Sequence, residues 1–393
     1  MINVSRLYCG AAGAHDSLRY GHGAAGRAPG GERRPVVVWN CTARCNLRCA
    51  HCYAAAEGDE AEMDTRAAEA MLEDLAAFGV PVLLLSGGEP MLREDLFGLI
   101  ARAAGLGLRA VLSTNGTLID EPAAARLAEA GTSYVGVSLD GIGEVHDRFR
   151  GEAGAFDRAL AGLRHCRRAG LKTGVRFTLT RRNAGQIEAV LGLLEAERIP
   201  RACFYHLVYA GRGADLRGED LDAPGARAAM DCILECTARL HGRGFAGEIL
   251  TVDNHADGPY LYLRMVREGS ERAAEALRLL RANGGNASGV GIGCVSWDGG
   301  VHPDQFWRHA ALGNVRRRAF SAIWSDATIP LLRALRDRRA HLVGRCAGCR
   351  FLDACNGNLR VRAESAGDLW GDDPACYLTD AEIAPVEVLH DRT

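Results

Sequence analysis

Three cysteines in a C-x3-C-x2-C spacing constrain this chain more than any other feature of its sequence. Cys45, Cys49 and Cys52 follow shortly after an apolar run at residues 36–39. A ferredoxin closes each iron–sulfur cube with four thiolates, whereas three thiolates leave one iron with an open coordination position, as in catalytic rather than structural metal sites. The spacing therefore predicts a cluster that binds another molecule at its free iron. A zinc knuckle that borrows a distant fourth ligand is the competing interpretation of the spacing alone.

A Gly-Gly-Glu-Pro turn favours the cluster over the zinc knuckle. Residues 86–90 have the sequence Ser-Gly-Gly-Glu-Pro and follow a second apolar run at residues 80–85. Together the two motifs resemble the radical S-adenosylmethionine (SAM) superfamily, in which such cysteines hold a [4Fe-4S] cluster and such a turn binds the amino group of SAM. The resemblance implies that SAM chelates the open iron of the cluster. It also implies contacts with SAM from Gly87, Gly88, Glu89 and Pro90.

Six β-rich runs alternate with amphipathic helical segments between residues 36 and 213. The runs cover residues 36–41, 80–85, 108–113, 134–139, 172–179 and 201–208. This alternation favours parallel βα units over hairpins, and a polar motif follows each run at the edge that carries the chemistry in α/β barrels. The pattern predicts an α/β fold. With the resemblance, it implies a partial (β/α)6 TIM-like radical SAM barrel with a C-terminal iron–sulfur module of the SPASM type.

Four regions are expected along the chain. Residues 1–35 become rich in Gly, Ala and Arg, and we expect a flexible N-terminal lead-in there. Residues 36–213 are expected to form the radical SAM barrel, and residues 214–289 a helical connecting region. The texture then changes to turn-rich sequence with five cysteines, so residues 290–393 are expected to form the module that holds an auxiliary cluster.

Further contacts with SAM are expected where the strands of the barrel end. The resemblance implies four polar residues at two adjacent strand ends: Ser113, Asn115, Ser138 and Asp140. Arg150 would suit the SAM carboxylate as a bidentate donor, although a surface ion pair explains a single arginine equally well. Arg176 lies in mid-strand, where a charge that faces the barrel needs a partner. We expect a contact with the cofactor there.

A second cysteine group lies near the C-terminus, with the spacing C-x2-C-x5-C and one later cysteine. Its members are Cys346, Cys349, Cys355 and Cys376. Four thiolates suffice for one closed site, in which zinc competes with an iron–sulfur cluster. The spacing resembles the SPASM extension of radical SAM enzymes, which commonly carries seven cysteines and two clusters, but Leu359 stands where a further cysteine is expected. We therefore predict one auxiliary [4Fe-4S] cluster, which leaves Cys294 without a role.

Charge and cysteine content bound the partner and the compartment. The 47 Lys and Arg residues nearly balance the 49 Asp and Glu residues, for a net charge of −2, so no overall field favours nucleic acid or an anionic membrane. A small-molecule partner is expected. Fourteen cysteines without an apolar signal segment or a run that could span a bilayer favour metal-binding thiols in an oxygen-poor cytoplasm.

Several segments narrow the resemblance to the radical SAM branch that modifies haems. They are residues 7–10, 18–21, 204–213, 251–258, 299–307 and 367–376. The resemblance implies that a 5′-deoxyadenosyl radical abstracts hydrogen from a tetrapyrrole. The acetate side chains of 12,18-didecarboxysiroheme are then lost and iron-coproporphyrin III forms, whereas the haem d1 relative removes propionates. It also implies reduced flavodoxin or ferredoxin as electron donor.

A large anionic macrocycle calls for arginines at its carboxylates and for an axial ligand such as histidine at its iron. The substrate residues expected on this basis are His206, Tyr209, Arg212, Asp253, His255, His302 and Trp307. A satisfied core histidine at position 206 and a turn residue at position 302 are equally simple explanations. Two other classes stay open: a SPASM enzyme that modifies a peptide, and an iron–sulfur or zinc protein without catalytic activity.

Overall fold

One mixed sheet of eleven strands runs through the part of the chain that the computed structural model describes, residues 1–13, 16–21, 34–55 and 61–385. The strands are β1 (Ile2–Asn3), β2 (Val36–Thr42), β3 (Leu83–Gly87), β4 (Ala110–Thr114), β5 (Tyr134–Ser138), β6 (Thr173–Leu179), β7 (Arg201–His206), β8 (Glu248–Val252), β9 (Ile292–Val295), β10 (Gly300–His302) and β11 (Gly313–Asn314). Their order in the sheet is β1-β8-β7-β6-β5-β4-β3-β2-β9-β10-β11.

The six predicted strands form the centre of this sheet. Strands β2 to β7 lie side by side in chain order, and each pairs in parallel with the next. Strand β8 extends the parallel set beyond β7, and β9 extends it beyond β2. The predicted α/β barrel is therefore confirmed, and two further parallel strands widen it. Antiparallel strands β1, β10 and β11 complete the edges.

Helices cover the outer face of the parallel strands. Their bounds are α1 (Val4–Leu7), α2 (Asp16–Tyr20), α3 (Thr65–Phe78), α4 (Leu96–Gly105), α5 (Glu121–Glu129), α6 (Glu144–Arg150), α7 (Ala155–Arg168), α8 (Ile187–Ala196), α9 (Ala223–Gly242), α10 (Asp257–Arg267), α11 (Ala273–Asn283), α12 (Phe320–Trp324), α13 (Pro330–Arg336), α14 (Gly344–Ala347), α15 (Leu352–Cys355), α16 (Arg360–Ser365) and α17 (Asp380–Ile383). Local signals fix several ends. Asp64 caps α3 by accepting from the backbone N–H of Ala67, and Gly79 ends that helix with φ 83°, in the left-handed region that glycine adopts at low cost.

The sheet has two chemically different faces. The outward side chains of β3, such as Leu83 and Leu85, are fully buried in the hydrophobic core against the helices. Inward positions of the same strands carry smaller or polar side chains that line a cavity, such as Ser86 on β3 and Arg176 on β6. Since side chains alternate along a strand, each strand contributes to the core and to the cavity at once.

The expected flexible lead-in is wrong for its first residues. Ile2 and Asn3 pair with β8 opposite Thr251 and Leu250, and Ile2, Val4 and Leu7 are at most 1% exposed. These apolar residues are too few to show a period in the sequence, and they gain their burial only from the tertiary fold. In the remainder of the predicted lead-in, residues 16–20 form α2, and residues 14–15 and 22–33 lie outside the described residues.

The expected helical connection and C-terminal module are also more closely joined to the barrel than predicted. Residues 214–289 contain α9, α10 and α11 as expected, but β8 between them is a strand of the sheet. The C-terminal region begins with β9, which pairs with β2. Among the described helices, none has the length and apolar character needed to cross a membrane.

Candidate active site

The carboxyl ends of the central strands enclose a cavity of about 1040 Å³ that is partly open to solvent, here called the rim cavity. Twelve of the predicted site residues line it: Cys45, Cys49, Cys52, Gly87, Gly88, Ser113, Asn115, Ser138, Arg150, Arg176, His206 and Asp253. These residues come from all six central strands or from the loops that follow them, and from β8. The fold therefore gathers what the sequence spreads over 200 positions.

The three cysteines of the first motif share this cavity. The register of β2 against β3 shifts between Asn40 and Thr42, just before their last pair, Thr42 with Gly87. Such irregularities redirect the chain near active sites. The thiol of Cys45 accepts a hydrogen bond from the N–H of Leu47, 3.4 Å away. Burial raises the pKa of Cys45 to about 11, and Cys49 and Cys52 add to the rise. The three sulfurs thus lie within electrostatic reach of one another, as the ligands of one [4Fe-4S] cluster must.

The Gly-Gly-Glu-Pro turn packs backbone to backbone against the cysteine loop. The N–H of Gly88 donates to the carbonyl of Thr42 at 2.8 Å, and the N–H of Glu89 donates to the carbonyl of Arg44 at 2.7 Å. A Cβ atom at position 88 would lie 2.1 Å from the Arg44 oxygen, and one at Gly87, where φ is 127°, would lie 2.5 Å from the Thr42 oxygen. Glycine is required at both positions because any side chain would separate the two loops.

Glu89 has a different place from the one expected. It is fully buried and does not line the rim cavity. Its carboxylate accepts from the hydroxyl of Thr114 and from the N–H of Asn115, each at 2.7 Å, and from the N–H of Met91 at 3.1 Å. Pro90 begins the short 3₁₀ turn that follows. Burial raises the pKa of Glu89. The carboxylate therefore joins the ends of β3 and β4, and the two glycines are the part of the turn that faces the cavity.

Arg150 is both an ion-pair partner and a cavity residue. It is 6% exposed; one end of its guanidinium contacts the carboxylate of Asp140, and Nη1 donates to the sulfur of Cys49 at 3.3 Å. Asp140 also accepts from the N–H of Thr178 at 2.6 Å. Burial alone would raise the pKa of Asp140, but Arg150 holds it below the usual value. The pair is buried beside the cluster site, not on the surface.

His51 lies at the edge of this ion pair. Its Nε2 is 3.9 Å from Asp140, and its ring centroid lies 4.5 Å from that of Phe149. Burial lowers the pKa of His51 to about 4, so the imidazole is neutral at physiological pH. The ring adds an apolar surface between the cysteine loop and Asp140.

Below the rim cavity, the inward faces of the strands enclose a second space of about 1610 Å³, also partly open to solvent and here called the lumen. The two spaces share part of their lining: Val38, Leu84, Arg176, Tyr205, Asp253, Gln305 and Phe306. The two spaces therefore lie directly next to each other.

Arginines line the lumen. Arg19, Arg109, Arg176 and Arg201 all face it, and Arg19 and Arg201 pair with Glu248. Arg176 stacks on the ring of Tyr205, 4.5 Å from its centroid, and forms no salt bridge among the described residues, although its charge counteracts the rise in the pKa of Asp253. Gly136 makes room for it, since a Cβ there would lie 3.0 Å from Cδ of Arg176. The excess of positive charge favours an anionic ligand.

Two carboxylic acids face the arginines from the C-terminal side. Asp253 follows β8 with φ 65°, an unusual conformation for a residue other than glycine and one that is frequent at functional sites. Burial raises the pKa of Asp253 to about 6, and nearby Asp304 adds to the rise. Burial likewise raises the pKa of Asp304 to about 6, and Asp304 accepts from the hydroxyl of Ser288 and from the N–H of Phe306.

The other expected substrate residues divide into two groups. His206 lines the rim cavity and His255 lines the lumen. Four of them line neither space: Tyr209, Arg212, His302 and Trp307. Tyr209 donates to Asp220 at 2.6 Å, and Arg212 donates to the carbonyl of Cys49 at 2.9 Å. These two residues therefore brace the rim.

His302 and Trp307 belong to the packing of the C-terminal module. The ring of His302 contacts the hydroxyl of Ser296 at 2.8 Å and the carbonyl of Ala310 at 3.1 Å. Trp307 is 1% exposed and packs in a small apolar cluster with Phe306 and Val208. His302 is therefore a strand residue that pairs with Cys294 of β9, and its ring is held by packing within the module.

Several cavity residues were missing from the sequence prediction. Tyr53 bridges two strand ends, with its hydroxyl 3.0 Å from that of Ser86 and 3.2 Å from the amide oxygen of Asn40. Tyr205 lies on the inward face of β7 together with Arg201, and the sequence prediction named neither of them as a site residue. Asp304, Gln305 and Phe306 lie in the segment 299–307 that the resemblance had singled out. Only tertiary packing turns these three residues toward the lumen.

The four C-terminal cysteines line one pocket of about 440 Å³. Burial raises the pKa of Cys355 well above its usual value, and Cys376, Cys346 and Cys349 each add to the rise. Four thiols with mutual electrostatic contact fit a closed four-thiolate cluster. Cys294 lies apart in β9, where its sulfur accepts from the side chain of Asn40 at 3.6 Å.

Two family models match the chain. Residues 39–194 match the radical SAM superfamily, and residues 292–350 match an iron–sulfur cluster-binding domain, SPASM. In structure, the chain is similar to SuiB of Streptococcus suis bound to the precursor peptide SuiA. The TM-score is 0.71 at 18% identity, over 88% of this chain and 76% of that one. This likeness shows a shared fold.

Sequence similarity is much closer to two enzymes with haem-related names. The chain is 55% identical to the Fe-coproporphyrin III synthase of Methanosarcina barkeri, over 98% of this chain and 100% of that protein. It is 45% identical to the pre-heme d1 synthase of Dinoroseobacter shibae, over 90% of this chain and 88% of that protein.

Proposed function

The chain belongs to the radical SAM enzymes of haem synthesis, and we propose that within this family it removes the acetate side chains of 12,18-didecarboxysiroheme to form iron-coproporphyrin III. The relative of that name covers the full length of the chain at 55% identity. The structural observation that carries the proposal is an arginine-lined lumen directly next to the rim cavity, with lining residues in common. A tetrapyrrole with several carboxylates matches the charge of that lumen.

The rim cavity is the proposed site of SAM and its cluster. Cys45, Cys49 and Cys52 would hold the cluster, and the bound pair supplies a 5′-deoxyadenosyl radical by reductive cleavage. The polar groups available to orient SAM come from the glycine turn and from four side chains: Ser113, Asn115, Ser138 and Arg150. Arg150 can serve the SAM carboxylate because its charge faces the cavity while Asp140 fixes its position. Glu89 supports the site from behind by holding β3 to β4.

The lumen is the proposed site of the tetrapyrrole. Its arginines would hold carboxylate side chains by charge-assisted hydrogen bonds. Arg176 and Tyr205 line both spaces, so a substrate held by Arg176 would lie directly below the cofactor. Phe306 and the walls around it would keep water from the reacting carbon.

The auxiliary cluster is proposed to be held by Cys346, Cys349, Cys355 and Cys376. With four thiolates it has no open position for substrate, so it would carry electrons. Reduced flavodoxin or ferredoxin is the proposed external electron donor, and an oxygen-poor cytoplasm is the proposed setting.

Removal of propionates, as in haem d1 synthesis, is the second candidate. The pre-heme d1 synthase is 45% identical over 90% of the chain, and the lumen arginines suit acetates and propionates alike.

One experiment separates the candidates. The protein, reconstituted anaerobically with iron and sulfide, is incubated with SAM, dithionite and 12,18-didecarboxysiroheme, and the product is identified by mass. Loss of acetates supports the proposal, and loss of propionates supports the second candidate. If 5′-deoxyadenosine accumulates while the tetrapyrrole stays unchanged, the substrate proposal is wrong and the peptide-modifying class gains weight.

A further inference from the structure

Three histidines line the two spaces, and only one of them faces the lumen. His51 and His206 line the rim cavity. Among the described residues, His255 is the one histidine that lines the lumen. Nε2 of His206 lies 3.0 Å from the carboxylate of Asp257. Burial opposes protonation of His206, but Asp257 overcomes this effect and raises the pKa of His206. Nε2 of His206 is therefore engaged in a hydrogen bond with Asp257 and is not free to bind a metal.

The ring of His255 has different surroundings. The hydrogen bond recorded for this residue runs from its backbone N–H, and its ring nitrogens have no hydrogen-bond partner within the described parts of the chain. Burial lowers the pKa of His255 well below its usual range, and Arg338 and Arg362 nearby act in the same direction. The imidazole is therefore neutral and keeps a free lone pair, which is the form that binds a metal.

The C-terminal module fixes the loop that carries His255. The side chain of Asn358 accepts from the N–H of His255 at 2.6 Å and donates to the side chain of Asn254 at 2.8 Å. Arg362 donates to the carbonyl of Asp253 at 2.9 Å. The loop is therefore held on both sides of the histidine, and Asn358 itself lines the pocket of the auxiliary cysteines.

We propose that His255 is the axial ligand of the iron in the bound tetrapyrrole. This inference rests on the proposed function and adds the position of the macrocycle within it. The ring iron lies beside Asp253 and Asp304, and the carboxylate side chains reach the arginines on β6 and β7, Arg176 and Arg201. His206 stays with Asp257 and His302 stays with Ser296 and Ala310.

The test is the spectrum of ferric iron-coproporphyrin III bound to the anaerobic, cluster-loaded protein. Wild type is expected to show the absorbance and electron paramagnetic resonance signals of imidazole ligation. In His255→Ala these signals are expected to disappear and the affinity to fall about 10- to 100-fold. Added imidazole is expected to restore the signals. In His255→Met, thioether ligation is expected to replace them.

His309→Ala is the control, because that histidine is exposed and pairs with Glu364 outside the lumen. Iron content and SAM cleavage without substrate show that each variant is folded. If His255→Ala keeps the wild-type spectrum, the assignment is wrong and the proposed function is untouched. If wild type binds the tetrapyrrole without an imidazole signature, the assignment is wrong as well. If wild type binds no tetrapyrrole, both fail.

Discussion

Arg150 donates a hydrogen bond to the sulfur of Cys49 at 3.3 Å, and so joins the first cysteine motif to a charge that faces the rim cavity. The same guanidinium contacts Asp140, which is fully buried. A single arginine thus serves a cluster ligand, a buried carboxylate and the cavity.

Replacement of Arg150 by Gln is expected to weaken SAM binding. The substitution removes the positive charge that Arg150 presents to the rim cavity. A charge-assisted hydrogen bond contributes about 1.5–3 kcal/mol to binding. The KM for SAM should therefore rise about 10- to 100-fold, and the SAM-induced change in the electron paramagnetic resonance spectrum of the reduced cluster should need correspondingly more SAM. Arg148→Gln on the same helix is the matched control, because Arg148 is 70% exposed. Equal KM values in the two variants would contradict the assignment.

Replacement of Gly88 by Ala is expected to disrupt the site, since the added methyl group would lie 2.1 Å from the Arg44 carbonyl. The turn and the cysteine loop would move apart, so that cluster iron and SAM cleavage fall together. Gly98→Ala is the control: nothing lies within 4 Å of its Cβ position in α4, and alanine is favoured over glycine in a helix by about 0.5–1 kcal/mol. Normal cluster content in Gly88→Ala would refute the close approach described for these loops.

The sequence predicted correctly those structural elements that a local pattern of residues determines. The six central strands depend on neighbours in the chain, and each begins and ends within three residues of its predicted run. The sequence prediction missed strands β1 and β8. Their residues become strand residues through the pairing of β1 with β8 in the folded chain. Glu89 was placed toward SAM because a motif names residue types and does not say which way a side chain points.

The stability of the folded chain is expected to depend on pH through Asp304. Its carboxyl pKa is raised to about 6 in the folded chain, chiefly by burial, against about 3.9 in an unfolded chain. Between these values the folded state holds a proton that the unfolded state has lost, so stability falls as pH rises from about 4 to about 6. Asp304→Asn keeps an oxygen for Ser288 and Phe306 but carries no charge.

Asp304→Asn is therefore expected to be more stable than wild type at pH 7.5, by on the order of 1–3 kcal/mol, and to lose this advantage near pH 4. Thermal unfolding of the anaerobic protein across this range measures the difference. Asp215→Asn, at an exposed position, should follow wild type throughout. An advantage for Asp304→Asn that does not change with pH would show that the charge of Asp304 is not its cause.

Replacement of Arg176 tests whether this residue contacts the substrate or, as the sequence suggested, the cofactor. Its guanidinium lies over Tyr205 and lines both the rim cavity and the lumen. If it holds a tetrapyrrole carboxylate, Arg176→Gln should weaken binding of iron-coproporphyrin III about 10- to 100-fold, from the loss of about 1.5–3 kcal/mol, and leave the KM for SAM cleavage without substrate unchanged. If it holds SAM, the KM should rise and tetrapyrrole binding should stay the same. Arg181→Gln, two residues beyond the strand at an exposed position, controls for the loss of one positive charge. A change in neither quantity would exclude both roles, and the charge of the lumen would then depend on Arg19, Arg109 and Arg201.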